Sequence, residues 1–168
     1  FFFKPDGTRL YVIGNSGDDI DQYDLTTAWD ISTASTNGRF VVAQDGTPKD
    51  LHFKPDGLKM YVIGATYDDV YEYDLSTAWD VTSASYLQNI SISEPNPEGL
   101  FFKPDGTKMY TIGLGGDDDI DEYNLSTAWD ITTASLLQAF TIGGTPTSMF
   151  FRQDGLKAFI TQQTSGND

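Results

Sequence analysis

One phrase recurs four times along this chain of 168 residues. It begins as FFFKPDGTRLYVIG and returns as LHFKPDGLKMYVIG, LFFKPDGTKMYTIG and, less faithfully, MFFRQDGLKAFITQ. The glycines that follow Asp in these phrases are Gly7, Gly57, Gly106 and Gly155, so the steps are 50, 49 and 49 residues. A nearly fixed period of this size indicates a repeat architecture.

Each complete repeat has the composition of four short strands. In the second repeat these segments are DLHFKPDG, LKMYVIGA, DVYEYDL and YLQNISIS, which are rich in β-branched and aromatic residues. Pro-Asp-Gly joins the first strand to the second, because proline presets its φ and glycine takes the positive φ that closes the turn. The fourth repeat contains only the first two strands.

The segments FKPDGTKMYTIG and DIDEYNL resemble the repeats of YVTN-type and WD-repeat-like β-propellers. This resemblance implies an all-β fold, a partial propeller of four-stranded antiparallel blades in which the first strand of each blade lines the central channel. We expect blade 1 at 1–46, blade 2 at 47–95, blade 3 at 96–144 and half of blade 4 at 145–168. The segments TTAWDISTAS, STAWDVTSAS and STAWDITTAS form a longer insert between the third and fourth strands.

A partial propeller leaves sheet faces without a neighbour. Propellers usually close with four to eight blades, and an open arc exposes apolar surface to water. We therefore expect the remaining blades to come from a longer parent chain, which we favour, or from a second copy of this chain.

Charge narrows the partners that the chain can have. The formal net charge is −15, from 25 acidic and 10 basic residues. Such a surface repels nucleic acids, and no apolar run has the length of a membrane span. We expect a protein or glycan ligand, no nucleic acid and no membrane insertion. The absence of cysteine excludes disulfides.

Acidity without cysteine favours an extracellular, cell-surface or virion location. The phrase DLSTAWDVTS resembles repeat proteins of marine microbes and their phages.

Acidic residues cluster in the loops GNSGDDID, GATYDDVY and GLGGDDDID, which join the second and third strands. Three interpretations compete: solvation of short turns, recognition of a basic or hydroxyl-rich ligand, and binding of a hard cation such as calcium, which takes several carboxylate oxygens. The spacing does not match an EF-hand loop. The candidate calcium ligands are Asp18, Asp19, Asp21, Asp68, Asp69, Asp117, Asp118, Asp119 and Asp121.

A tryptophan recurs once in each complete repeat, as Trp29, Trp79 and Trp129. Each could seal the seam between two blades, next to a short helical turn capped by the preceding Ser or Thr. The alternative is a ring of aromatic platforms that stack on sugar rings. Tyr67, in an acidic loop, is a further candidate for ligand binding.

The single histidine, His52, replaces a phenylalanine of the repeat, since its counterparts are Phe2, Phe101 and Phe150. It is either a packed residue of the channel wall or a ligand-binding or general-base group. Repeats this similar offer the same residues in each blade and argue against an asymmetric catalytic site. We therefore predict a non-catalytic binding module, not an enzyme, without a cofactor other than possible calcium.

Two alternatives to the binding module remain open. One is a metal-dependent propeller enzyme of the lactonase or dehydrogenase type, with its site in blades outside this sequence. The other is a structural spacer.

Overall fold

The computed structural model describes residues 1–115, 119–152 and 154–163. Within these ranges the chain forms four antiparallel sheets and three short 3-10 turns. The strands are β1 (Phe2–Phe3), β2 (Arg9–Gly14), β3 (Asp19–Leu25), β4 (Ala34–Val41), β5 (Pro48–Phe53), β6 (Lys59–Gly64), β7 (Asp69–Leu75), β8 (Ala84–Ser91), β9 (Pro97–Phe102), β10 (Lys108–Gly113), β11 (Asp119–Leu125), β12 (Ala134–Thr141), β13 (Thr145–Phe151) and β14 (Ala158–Gln163).

The sheets are the blades of a partial β-propeller, as predicted. Three of them contain four strands in chain order, and the described part of the fourth contains β13 and β14. The first strands of successive sheets lie against one another, β5 against β9 and β9 against β13, so they are the innermost strands. Among the described residues, no helix has the length and hydropathy needed to cross a bilayer.

The turn between the first two strands of a blade follows the predicted chemistry. In blade 2 the amide of Gly57 donates to the carbonyl of Lys54 at 2.8 Å, and the glycine has a φ of +74°. Asp56 accepts a hydrogen bond from the amide of Leu58 and pairs with the ammonium group of Lys54 at 2.8 Å. A side chain at Gly57 is excluded, because its Cβ would lie 2.3 Å from Nε1 of Trp79.

The three tryptophans share one unusual backbone conformation, with a φ of +66°. A 3-10 turn follows each of them, at Ile31–Thr33, Val81–Ser83 and Ile131–Thr133. In the second, the carboxylate of Asp80 accepts from the amide of Thr82 and caps the turn. The predicted Ser or Thr cap is therefore wrong: the aspartate after the tryptophan has the extended conformation that a cap requires.

The core consists mainly of the seams between blades. In the first seam the hydroxyl of Tyr11 donates to the carbonyl of Trp79 at 2.5 Å, and in the second the hydroxyl of Tyr61 donates to the carbonyl of Trp129 at 2.6 Å. The indole of Trp129 stacks on Phe102 at a centroid distance of 5.4 Å. Each seam thus combines aromatic burial with one directional hydrogen bond.

In blade 1 the residues that correspond to the buried seam residues are exposed to solvent. Ile31 is 66% exposed, whereas its counterparts Val81 and Ile131 are fully buried. Trp29 is 59% exposed, whereas Trp129 is 8% exposed.

This difference gives a matched test of the seams. We expect Trp129→Ala to lower the free energy of unfolding by about 3–5 kcal/mol, because it removes a buried aromatic side chain. Trp29→Ala, in the same local turn, should cost about 1 kcal/mol or less, because Trp29 is 59% exposed and no described residue of another blade covers it. Urea unfolding of the two variants and the wild type measures both values, and equal losses would contradict the seam assignment.

Candidate functional site in the axial cleft

The innermost strands of all four blades enclose a cleft of about 520 Å³ next to the propeller axis. Most of its wall is aromatic or aliphatic, from β1, β9 and β13. Three polar side chains interrupt this apolar lining: Asp50, His52 and Ser148. A concave apolar site with a few convergent polar groups is the usual form of a small-molecule site.

The polar residues of the cleft are places where the blades differ. Asp50 corresponds to Gly99 in blade 3 and to Ser148 in blade 4, and His52 replaces a phenylalanine. Asp50 and His52 lie two residues apart on β5, so they face the same side of the strand. Blade 2 therefore contributes an acid and an imidazole that blades 3 and 4 do not repeat, and blade 1 has Phe2 in place of the imidazole.

The carboxylate of Asp50 links two innermost strands. Its Oδ1 accepts from the amide of Leu51 at 2.9 Å, and its Oδ2 accepts from the amide of Leu100 in the next blade at 3.1 Å. Burial raises the pKa of Asp50 above its usual value, and the two amide hydrogen bonds oppose that shift. Both carboxylate oxygens keep a lone pair for a further donor.

The imidazole of His52 lies among aromatic rings. Its centroid is 5.4 Å from that of Phe101 and 5.7 Å from that of Phe2, and it stacks on Trp129 at 6.4 Å. Burial lowers the pKa of His52 to about 4, because the apolar surroundings disfavour the imidazolium. At neutral pH the ring is uncharged and one of its nitrogens can accept a proton.

A half-buried ion pair joins the same two strands. Nζ of Lys49 lies 2.6 Å from Oε1 of Glu98, at corresponding positions of β5 and β9. Blade 4 has Thr147 at this position.

Several of the predicted calcium ligands have protein partners. Asp19 and Asp21 both pair with Arg39, at 3.1 and 2.7 Å. Asp69 is buried and accepts from the side chains of Asn89 and Ser91.

Of the other predicted calcium ligands, some carboxylates accept hydrogen bonds and others have a buried oxygen without a partner. Asp68 accepts from the amide of Asn96, and Asp121 is buried and accepts from the hydroxyl of Tyr123. One oxygen of Asp18 and one of Asp119 are buried without a hydrogen-bond partner among the described residues.

No cluster of three or more potential ligand side chains close enough to hold a metal ion occurs in the described ranges. Asp117 and Asp118 lie outside these ranges. Calcium binding therefore stays a prediction.

The aromatic candidates for ligand binding do not share one surface. Trp129 and the half-buried Trp79 pack in seams, on His52 and on Phe2 respectively, which agrees with the seam-sealing interpretation. Trp29 and Tyr67 are exposed. Of the five predicted ligand-binding residues, only His52 lines the axial cleft.

Sequence reasoning missed Asp50 and Ser148. The signal was weak, because the three repeats that include this inner-strand position carry three different residues there, Asp50, Gly99 and Ser148. His52 was noticed because phenylalanine occupies its place in the other three repeats, whereas position 50 has no common residue from which to depart.

Comparison with known proteins supports the fold. No protein-family model and no curated protein matches the chain. Among solved structures it resembles a protein assigned as a 6-phosphogluconolactonase from Bacteroides fragilis NCTC 9343, with 18% identity and a TM-score of 0.70. It also resembles one so assigned from Bacteroides uniformis ATCC 8492, with 18% identity and a TM-score of 0.69, and the periplasmic gluconolactonase of Pseudomonas aeruginosa, with 17% identity and a TM-score of 0.66.

The chain spans 46% of the length of each of these three structures, and 96% of the chain is covered. At this identity the likeness is one of fold. Nothing in these comparisons supports a marine or phage origin.

These neighbours contradict two predictions made from the sequence, that the chain is a non-catalytic binding module and that it is not an enzyme. Their names are those of lactonases, which favours the alternative of a propeller enzyme. The similarity of the repeats was a poor guide, because the inner strands of the blades do not carry the same residues.

The environment of His52 predicts a pH effect on stability. The unfolded chain takes up a proton on this residue near pH 6.5 and the folded chain near pH 4. The contribution of His52 to the free energy of unfolding should therefore fall as the pH drops from about 6.5 to about 4. His52→Phe, which restores the residue of the other repeats, should remove this part of the decline.

Urea unfolding at pH 7 and pH 4.5 measures this effect. Phe150→His is the matched control, because Phe150 is exposed at the corresponding position of blade 4 and a histidine there should titrate normally. An identical decline in the wild type and in His52→Phe would contradict the assignment.

Proposed function

We propose that this chain forms part of a lactone-hydrolysing β-propeller and that the lactone binds in the axial cleft. The observation that carries the proposal is the placement of an acid and an uncharged imidazole, which blades 3 and 4 do not repeat, in an apolar cleft at the axis. The names of the structural neighbours favour a lactonase over the dehydrogenase alternative. We also propose that the repeats of this chain are of the YVTN type.

His52 would act as the general base. Its neutral ring accepts a proton from water, and the resulting hydroxide adds to the lactone carbonyl. The ring C–O bond then breaks, and the leaving oxygen takes the proton back from the imidazolium. The product is the open hydroxy acid. The apolar surroundings keep His52 uncharged above a pH of about 4, so its lone pair is free at neutral pH, but the lowered pKa also makes the ring a weaker base than an exposed histidine.

Asp50 and Ser148 would orient the substrate. The free lone pairs of Asp50 can accept hydrogen bonds from sugar hydroxyls, and the hydroxyl of Ser148 can donate to an oxygen of the lactone. No lysine or arginine lines the cleft within the described residues. An anionic phosphate would therefore find no cationic partner in the described lining, which favours a neutral sugar lactone over a phosphorylated one.

Hydrolysis of glucono-δ-lactone, followed by base consumption at constant pH and corrected for the spontaneous rate, tests the proposal. We expect His52→Phe to lower kcat about a hundredfold or more, because it removes the base. Asp50→Gly, which introduces the residue of blade 3, should act mainly on KM.

Phe140→Ala is the control, because Phe140 lies exposed on β12, outside the cleft lining, and its removal should leave the rate unchanged. The proposal fails if the protein gives no rate above buffer, or if His52→Phe is as active as the wild type.

A further inference from the structure

The seam between blades 2 and 3 contains two polar residues at positions that are aliphatic and aromatic in the seam between blades 1 and 2. Thr111 on β10 and Asp121 on β11 are 0% and 4% exposed. They correspond in the repeat to Val62 and Tyr71 of blade 2. Blades 2 and 3 both have four strands, so the difference lies in the side chains of blade 3.

Thr111 and Asp121 lie directly opposite each other in the pairing of β10 with β11. The side chains of such a pair project to the same face of the sheet, with their Cβ atoms about 5 Å apart. Tyr123, two residues further along β11, lies on this face and packs in one cluster with Ile63 and Val70 of blade 2. The hydroxyl of Thr111 and the carboxylate of Asp121 are therefore buried together between two blades.

Two oxygens on this face have no hydrogen-bond partner among the described residues. One is Oγ1 of Thr111, and the other is Oδ1 of Asp119, which is buried as well. Asp119 lies two residues before Asp121 on β11, so its side chain projects to the same face. A buried polar atom without a partner costs free energy, and a ligand that binds both oxygens offsets that cost.

The two carboxylates of blade 3 also lack a counter-charge. Burial raises the pKa of Asp121, the hydrogen bond from the hydroxyl of Tyr123 opposes this shift, and the nearby carboxylate of Asp119 adds to it. Within the described part of the chain, no lysine or arginine contributes to the pKa of Asp121. The face thus holds two acidic groups that repel each other.

Blade 1 shows which kind of group can satisfy such a pair. Arg39 on β4 lies opposite Asp21 and pairs with Asp19 at 3.1 Å and with Asp21 at 2.7 Å. These two acids correspond to those of blade 3. The position of the arginine is Ala139 in blade 3, opposite Asp121, and alanine offers neither a charge nor a donor. A cation in blade 3 must therefore come from solution.

We propose that Asp119, Asp121 and Thr111 bind a calcium ion in the seam between blades 2 and 3. The ion has the role that the guanidinium of Arg39 has in blade 1. A doubly charged hard cation neutralises two carboxylates and accepts a hydroxyl oxygen as a ligand, and water completes a sphere of about six to eight oxygens. This site lies in a seam, so it is independent of the axial cleft and of the lactonase proposal.

Thermal unfolding of the whole protein, first treated with a chelator and then titrated with calcium chloride, tests the site. We expect Tm to rise and to saturate with a dissociation constant of about 10⁻⁴–10⁻³ M, because only two carboxylates contribute. Thr111→Val, which introduces the residue of blade 2, should bind calcium about fivefold more weakly. Ala139→Arg, which introduces the residue of blade 1, should lose the calcium response, because the guanidinium occupies the carboxylates.

Asp21→Asn is the matched control, because it removes a carboxylate that already pairs with Arg39, and it should keep the full calcium response. The proposal is overturned if calcium does not raise Tm, if Ala139→Arg responds like the wild type, or if the affinity is unchanged in Thr111→Val. It is also overturned if Asp21→Asn loses the response. An equal response to magnesium chloride would overturn it too, since that result indicates general screening of the net charge of −15.

Discussion

The hydrogen bond from a tyrosine hydroxyl of one blade to a tryptophan carbonyl of the next determines how the blades meet. The carbonyl is available because the tryptophan has a φ of +66°, a conformation that is costly for a bulky residue. Stacking of the indole in the seam and the absence of a side chain at the facing glycine offset that cost. Since the seams fix the angle between blades, they also fix the distance between the innermost strands and hence the shape of the axial cleft.

A scaffold of near-identical blades places its chemistry where the blades differ. The seam residues repeat because every seam has the same geometry to satisfy. At the positions of the inner strands that face the axis, the residue type differs between blades. Asp50, Gly99 and Ser148 occupy one such position in blades 2, 3 and 4, and His52 replaces phenylalanine at another. An asymmetric site can therefore arise on a symmetric frame with few changes. This is why the similarity of the repeats did not exclude an enzyme.

The acidic loops illustrate a different limit of sequence reasoning. A run of aspartates gives the same pattern whether its carboxylates bind a cation, face water or form internal hydrogen bonds. The structure shows Asp69 bound by two side chains of β8 and Asp19 and Asp21 paired with Arg39 of β4. Those partners are set by strand pairing across a blade, so the composition of the loop alone did not reveal them.

The sequence by itself determined the period, the strands and the Pro-Asp-Gly turns, because each depends on residues close together in the chain and on their backbone preferences. Only the tertiary structure decided which residues meet across a seam or at the axis. Tyr61 reaches Trp129 and Asp50 reaches Leu100 through contacts between blades, far apart in sequence. Such contacts depend on how whole sheets pack against one another. The backbone preferences of neighbouring residues do not predict that packing.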